Sequence, residues 1–426
     1  MMYKNLLIKL CLAPLLLGYM ACSKGGNTDV GEKKEENPPV KESPIGDVVG
    51  QITTGYQGWF SCNGDKSPMG KHWWHWTHTW EATPNLENLT IKSWPDNREY
   101  DHVYPTQLPD LGNGQKATLF SSYDEQTVDV HFRWMKEYGI HTAALQRFNP
   151  NGVEGPIRDA ITETVKKQAE KHGVKFYIMY DVSGWDNMQP EIKKDWTDKM
   201  RKYTASPQYA MQNGKPVVGI WGFGFNDDNH PWPADKCKEV IDWFKDQGCY
   251  VMGGVPTNWR LAPAGQDARP GFLHVYKAFD MLSPWMVGRI GQITDIDRHT
   301  NDVIVPDLKF CKENGIDYQP CVLPGDLQER QRQHGEFMWR QFHNYIKAEV
   351  RSLYISMYDE YNEGNQIAKT AETASDVPQG SNILALDEDG VACSADYYLR
   401  ITQDAGRMLR KEIPISMKKP TLPKVD

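Results

Sequence analysis

The sequence is poor in cysteine and in positive charge. Its 426 residues contain 8 Cys, too few for a disulfide scaffold of this length, and no two have the CxxC spacing typical of structural zinc sites. The formal net charge of −8 argues against a nucleic-acid partner. No GxGxxG or GxxxxGK motif follows a predicted strand, so these nucleotide-binding signatures are absent. Tryptophan is abundant, with 15 residues, and flat aromatic rings suit surfaces that stack on sugars or bases.

The N-terminal segment has the pattern of an export signal. An apolar run over residues 10–17 follows a positively charged start and is too short for a membrane span, so residues 1–21 are predicted to be a signal peptide. The segment ends at Met20-Ala21-Cys22, which resembles a bacterial lipobox. The resemblance implies lipidation of Cys22 and anchoring in the envelope membrane of a Gram-negative bacterium. The alternative is a secreted protein with a free Cys22.

Two further parts follow from composition. Residues 22–46 have no aromatic residue and are rich in Gly, Pro, Glu and Lys, which predicts a flexible tether. Residues 47–426 are predicted to form the folded domain. The pairing of its Cys residues does not follow from their spacing.

The folded part alternates short apolar runs with amphipathic helices. Apolar residues in succession are typical of strands buried on both faces. Several helices have Pro near the start or Gly just past the end, as expected of helix boundaries. Eight such units predict a single (β/α)8 TIM barrel, with an open doubly wound sheet as the alternative. The predicted strands are 50–55, 142–146, 175–180, 216–221, 250–255, 281–284, 318–323 and 353–357.

A long insert over residues 61–121, rich in Trp and His, lies between strand one and the first regular helix. Within it, residues 71–78 read KHWWHWTH. Three His at a spacing of three suit a metal site. The interleaved Trp suit a wall that stacks on sugars, with His75 and Trp76 as candidate contacts, and ordinary packing is the third interpretation.

Polar and aromatic residues follow the predicted strands, at the face where barrel enzymes carry out their chemistry. Flat rings beside carboxylates and amides suit a bound sugar. Arginines among them suit an anionic substrate, or else pair with Asp181, Asp227 or Asp326. Besides His75 and Trp76, the candidate substrate-binding residues are Tyr56, Trp59, Arg147, Asp181, Trp259, Trp285, Arg289 and Asp359.

Glu360 and Glu363 are the candidate catalytic pair. Glycoside hydrolysis needs two carboxyl groups, one that gives a proton to the leaving oxygen and one that acts on the other side. A spacing of three places both side chains in one pocket if the segment turns helically. Repulsion between close carboxylates raises one pKa and produces the acid. The alternative is a pair of solvated loop residues.

Residues 356–367 read SMYDEYNEGNQI and resemble the catalytic segment of glycoside hydrolase family 99, which reads roughly NEWHEGTQI. This family comprises endo-α-mannosidases and bacterial endo-α-mannanases. The resemblance spans residues 50–409, where further segments similar to the family occur in the same order. The chain also resembles the bacterial proteins called family 71/99-like. They are GYQGWF at 55–60, His75-Trp76, SSYD at 121–124 with His131, and NGKPVV at 213–218.

The resemblance implies a (β/α)8 barrel that cleaves α-linked mannosides with retention and without a covalent enzyme intermediate, cofactor or metal. Glu360 would take the proton from the sugar 2-hydroxyl, and Glu363 would act as general acid and then as general base. The segment departs from the family pattern around the two glutamates, because Asp359 replaces Asn, Tyr361 replaces Trp and Asn362 replaces His. Hydrolysis of some glycoside, expected to be an α-linked glycan, is therefore better supported than mannoside specificity.

Two other functions remain open from the sequence. One is a cell-surface lipoprotein that binds glycans on an inactive barrel. The other is a lyase or transferase acting on carbohydrate. The sugar, its linkage, endo or exo cleavage and the oligomeric state do not follow from the sequence.

Overall fold

The computed structural model describes residues 42–424. All eight predicted strands are present, and each is mostly or wholly buried, as the successive apolar residues indicated. The seventh strand is interrupted between two short pieces. The strands are β1 Ile52–Tyr56, β2 Thr142–Arg147, β3 Lys175–Asp181, β4 Lys215–Trp221, β5 Tyr250–Val255, β6 Met281–Pro284, β7 Asp317–Tyr318 with Cys321–Val322, and β8 Leu353–Ile355.

The strands form a closed parallel ring. β1 pairs with both β2 and β8, and successive pairs lead from β2 to β6. The first piece of β7 pairs with β6 and the second piece pairs with β8, which closes the ring. An open doubly wound sheet would leave two edge strands, so the predicted (β/α)8 barrel is confirmed.

Helices connect successive strands, and one follows β8. The helix before β4 continues through a π-helical turn at Trp196–Met200 and a 3₁₀ turn at Arg201–Ala205. A π-helical turn at Thr300–Ile304 joins the two helices before β7. The helices are α1 Glu125–Glu137, α2 Gly155–His172, α3 Met188–Asp195, α4 Ala234–Asp246, α5 Leu273–Tyr276, α6 Ile293–His299, α7 Val305–Asn314, α8 Glu336–Lys347 and α9 Tyr397–Leu409.

The insert after β1 is mostly irregular and packs through aromatic rings. Its only strands within the described chain are Tyr104–Pro105 and Thr118–Leu119, which pair in antiparallel fashion. Trp76 is buried, stacks on Phe60 at 3.9 Å and donates from Nε1 to the carbonyl of Phe120. Isolated bridges also join the insert to the segment after β8. The insert therefore lies beside the loop that carries the two candidate glutamates.

Residues 42–46, placed in the tether by the sequence, contact the barrel. Glu42 pairs with Lys312 and Arg351 at 2.9 and 3.2 Å, and the Ser43 carbonyl accepts a hydrogen bond from Arg351. The folded part therefore includes Glu42. The predicted signal peptide, Cys22 and the rest of the tether lie outside the described residues.

The structure shows the state of the cysteines, and whether any helix could span a membrane, for residues 42–424. The six Cys in this range are buried free thiols: Cys62, Cys237, Cys249, Cys311, Cys321 and Cys393. None of the helices there combines the length and the apolar composition needed to cross a lipid bilayer.

Candidate active site

A cavity of about 290 Å³ lies at the carboxyl ends of the barrel strands. Glu360 and Glu363 both line it, so the structure brings the candidate pair to one pocket. Five aromatic residues, two glutamine amides and two hydroxyl groups contribute to the wall. The other lining residues are Gln57, Trp59, Gln146, Phe148, Asp181, Ser183, Trp221, Trp285, Tyr354 and Met357.

The segment that carries Glu360 and Glu363 forms a helical turn shortly after β8. The backbone N–H groups of Glu363 and Gly364 both donate to the Glu360 carbonyl, at 3.2 and 3.1 Å. This single turn meets the condition under which a spacing of three places both side chains in one pocket. Gly364 has a φ of +76°, and a Cβ there would come within 2.7 Å of Asp326 Oδ1. The glycine of the ExxEG motif is therefore required by both backbone conformation and space.

Glu360 is only 3% exposed. Its Oε1 accepts a hydrogen bond from Gln57 Nε2 at 2.9 Å, and its Oε2 has no protein partner within the described residues. Burial raises the pKa of Glu360 well above its ordinary value, and the nearby charge of Glu363 raises it further. The hydrogen bond from Gln57 opposes this shift, because it favours the charged form.

Glu363 opens to solvent at the same pocket. Partial withdrawal of its carboxyl from water raises its pKa, the Lys92 ammonium opposes this shift, and the charge of Asp326 adds to it. Lys92 belongs to the insert and pairs with Asp326 at 2.6 Å. Because Glu360 and Glu363 influence each other's ionisation, the two carboxyls titrate together and not as independent groups. Two coupled carboxyls with raised pKa values can share one proton, an arrangement that acid–base catalysis can use.

Asp359 lies beneath the pocket and does not line it. It is fully buried, and its two carboxylate oxygens accept the backbone N–H groups of Gln57 and Gly58, both at 2.8 Å. Burial raises the pKa of Asp359 to about 6. The carboxylate therefore fixes the turn after β1, and through Gln57 it supports Glu360. Its predicted direct contact with substrate has no geometric support.

The aromatic residues of the pocket form two groups. Trp59 and Phe148 lie nearly parallel, with ring centroids 5.8 Å apart and an angle of 15°. Trp221 and Trp285 meet edge to face at 5.4 Å. Asp181 is the last residue of β3. Its carboxylate accepts a hydrogen bond from the Ser183 N–H, and burial raises its pKa. Of the predicted substrate-binding residues, the pocket thus gathers Trp59, Asp181 and Trp285.

Other predicted contacts are structural in this geometry. Tyr56 is buried and its hydroxyl bonds His131 Nδ1 at 3.0 Å. Trp259 is buried and donates from Nε1 to Asp307. Trp76 belongs to the core of the insert. None of these three lines the pocket.

The predicted arginines pair with carboxylates away from the pocket. Arg147 is 1% exposed and is held by Asp195 and Asp159. Arg289 pairs with Asp267 at 2.9 Å. Arg260, which also follows a strand, pairs with Asp307 at 2.8 Å. The geometry favours the alternative that these arginines stiffen the rim, although their partners are not the three predicted aspartates.

Several pocket residues were missed as individual candidates. They are Gln57, Gln146, Phe148, Ser183, Trp221, Tyr354 and Met357. The available signal was the two-residue period of a strand, since neighbours point to opposite faces. Gln146 and Phe148 flank Arg147, and Gln146 donates to the Tyr354 hydroxyl inside the barrel while Arg147 bonds Asp195 on α3. Choosing Arg147 from this strand end selected the wrong face.

A buried arginine joins the loops after β7 and β8. Arg332 donates to the carbonyls of Gly325, Gly364 and Gln366 at 2.8–2.9 Å. Its guanidinium also lies 4.4 Å from the ring centroid of Tyr398. The Gly364 carbonyl follows Glu363 directly, so this contact holds the end of the catalytic turn.

The histidines of the insert are spread over different environments. His75 stacks on Trp59 at 4.0 Å and bonds Glu154 at 3.1 Å, so it lies behind the pocket wall. His78 is exposed. Across residues 42–424, no group of three His, Cys, Asp or Glu side chains is arranged to hold a metal ion.

Comparison by sequence yields no relative. No protein-family model matches the chain, and no curated protein matches it.

Comparison by structure gives clear similarity. The chain resembles the GH99 endo-alpha-mannosidase from Bacteroides thetaiotaomicron with a TM-score of 0.61 and 13% identity, over 85% of this chain and 98% of that one. A second structure of that enzyme, in complex with BIS-TRIS-propane, gives a TM-score of 0.60 and 13% identity, over 86% and 98% of the two chains. At this identity the agreement concerns the fold. The (β/α)8 fold that the family 99 resemblance implied is therefore confirmed.

Proposed function

We propose that this protein is a retaining glycoside hydrolase that acts on an α-linked mannose glycan. The observation that carries the proposal is the placement of Glu360 and Glu363 in one aromatic pocket directly after the last barrel strand. Both carboxyls have raised pKa values, and in a coupled pair one carboxyl can hold a proton while the other is ionised. The similarity in fold to an endo-α-mannosidase supports mannose as the first sugar to test.

The lining of the pocket favours an uncharged sugar at the cleavage site. Three carboxyl groups line the cavity, from Asp181, Glu360 and Glu363, while no Lys or Arg does so. An anionic substituent would meet like charge there without a compensating cation. The candidate cations Arg147 and Arg289 are already paired with other aspartates. The proposed substrate is therefore neutral. This differs from the anionic substrate that the arginines after the strands had suggested.

In the proposed first step, Glu363 gives its proton to the leaving oxygen as the C1–O bond breaks. The sugar's own 2-hydroxyl oxygen attacks C1, and its proton passes to Glu360, which gives a 1,2-anhydro sugar. In the second step, water attacks C1 and gives its proton to Glu363. The C1–O2 bond breaks, and O2 recovers a proton from Glu360. Two inversions at C1 give net retention.

The environment of Glu360 suits a base that works in a desolvated site. Its raised pKa makes the carboxylate a stronger acceptor for the weakly acidic 2-hydroxyl. The hydrogen bond from Gln57 keeps the ionised form accessible. Its Oε2, which has no protein partner among residues 42–424, is free to accept that proton.

The test is hydrolysis of α- and β-linked glycans by the purified protein, followed by NMR of the first-formed anomer. We expect an α-mannoside to be cleaved with retention. A matched 2-deoxy substrate should not turn over, because it lacks the attacking oxygen. Cleavage of the 2-deoxy substrate as fast as its parent would overturn the neighbouring-group step and reassign Glu360 as a direct nucleophile or an inverting base.

The experiment also separates catalysis from simple glycan binding. Glu360→Gln and Glu363→Gln should retain binding of the cleaved glycan while losing turnover. A wild-type protein that binds glycans of the panel and cleaves none would instead support the non-catalytic alternative.

A further inference from the structure

One exposed tryptophan stands apart from the other aromatic residues. Trp80, in the insert, has 43% of its surface exposed. Within the described part of the chain it is the only exposed Trp, Tyr or Phe. Exposing a large indole costs free energy that burial against a ligand would recover. The insert therefore presents an unusual surface at this position.

Trp80 is joined to the active-site pocket by a continuous series of rings. Trp59 lines the pocket and stacks on His75 at 4.0 Å. His75 meets Trp74 edge to face at 5.7 Å, and Trp74 packs on Trp80 at 3.7 Å. Three short steps thus lead from the pocket wall to the exposed ring. The series runs behind the pocket wall, so it shows how near Trp80 lies to the pocket and does not itself trace the path of a bound chain.

We propose that Trp80 forms a distal subsite for a neutral oligosaccharide whose scissile bond lies at Glu360 and Glu363. This inference rests on the proposed function and adds that the substrate extends beyond the pocket. Charge supports the same occupant, since the lining of the pocket is acidic and a neutral chain meets no repulsion there. The subsite binds remote sugar residues and takes no part in the chemistry.

The test compares a short and a long substrate, α-mannotriose and α-mannan. Trp80→Ala should lower kcat/KM on α-mannan about 5- to 20-fold, as expected when one exposed indole face loses its contact. On α-mannotriose kcat/KM should stay within about twofold. Trp80→Phe should restore part of the loss. Leu273→Ala on α5 is the matched control, because Leu273 is 41% exposed and does not line the pocket.

Binding of α-mannan, measured by affinity electrophoresis with the Glu360→Gln protein, separates this proposal from the proposed function. Weaker retention of the Glu360→Gln/Trp80→Ala protein supports the subsite, even if the wild type hydrolyses no mannoside. Equal losses on both substrates, or no loss on α-mannan in either assay, would overturn the subsite and leave hydrolysis intact.

Discussion

Gln57 donates a hydrogen bond from Nε2 to Oε1 of Glu360 at 2.9 Å, which links the turns after the first and the last barrel strands. The two residues are 303 positions apart in the chain. They meet because β1 and β8 are neighbours in the closed ring. Asp359 holds the same turn by accepting the Gln57 and Gly58 N–H groups. Barrel closure and the environment of the proposed base thus depend on the same contacts.

Replacing Gln57 by Leu removes a donor to the charged form of Glu360. The pKa of Glu360 should rise further, since the hydrogen bond favours the carboxylate. A base must be ionised, so the acid limb of the kcat/KM profile should move to higher pH. Gln146→Leu is the control, because Gln146 lines the same pocket and bonds Tyr354, which leaves the limb in place. An unmoved limb in Gln57→Leu would contradict this role.

Leaving-group chemistry separates the roles of the two glutamates. General acid assistance contributes about 10²- to 10⁴-fold, so Glu363→Gln should lose at least 10²-fold on an unactivated glycan. With a nitrophenyl glycoside the leaving group needs little acid, and the loss should shrink. Glu360→Gln should be severe with both substrates, because attack by the 2-hydroxyl needs its base. Steady-state kinetics measure both variants on both substrates. If Glu360→Gln, and not Glu363→Gln, were rescued by the nitrophenyl leaving group, Glu360 would be the acid and Glu363 the base.

The Glu360 carboxyl should lower stability at neutral pH. Its folded pKa is raised, so below about pH 4 both the folded and the unfolded states are protonated and the group has no effect. As pH rises, the unfolded state ionises first and stability falls. Glu360→Gln should therefore raise the free energy of unfolding at pH 7, by on the order of 1 kcal/mol or more, since a tenfold change in proton affinity is about 1.4 kcal/mol.

Chemical denaturation at pH 7 and pH 4 tests this expectation. The gain in Glu360→Gln should disappear at the lower pH, and Glu363→Gln, which opens to solvent, should gain less. A Glu360→Gln protein that is less stable than wild type at pH 7 would show that burial does not penalise the charge.

Arg332 is expected to position the catalytic turn. Arg332→Met leaves the carbonyls of Gly325, Gly364 and Gln366 without their donor and should destabilise the fold by about 1–3 kcal/mol or more. In the folded fraction, kcat should fall more than KM changes, because Glu363 loses its fixed position. Arg332→Lys should recover part of kcat.

The matched control is Arg340→Met, which removes a more exposed guanidinium paired with Asp297 on α6. It should leave kcat unchanged. Kinetics are measured well below the melting temperature, with folding verified by circular dichroism. If Arg332→Met changes stability and leaves kcat intact, Arg332 serves the fold alone.

The lipoprotein proposal rests on the sequence around Cys22. Cys22→Ser removes the only thiol at the predicted cleavage site, so the protein should leave the membrane fraction. Fractionation of cells followed by immunoblotting measures this, with Cys393→Ser as a control distant from the signal. Continued membrane association of Cys22→Ser would refute lipid anchoring at that residue.

Local patterns in the sequence indicated the barrel and the candidate pair of glutamates. Successive apolar residues predicted strands such as β5 and β6 with their observed ends, because burial on both faces leaves a direct mark on composition. The spacing of Glu360 and Glu363 suits one pocket if the segment turns helically, and the contacts of that turn span only a few residues.

Only the tertiary structure decided which strand-end residues face the pocket. A shift of one residue along a strand reverses the direction of its side chain, so Gln146 faces the barrel interior while Arg147 pairs with Asp195. The partners of Arg147, and the contact of Gln57 with Glu360, depend on how distant segments pack, and no local pattern records them. The sequence thus determined the elements and the reactive groups, while packing across the closed ring decided their neighbours.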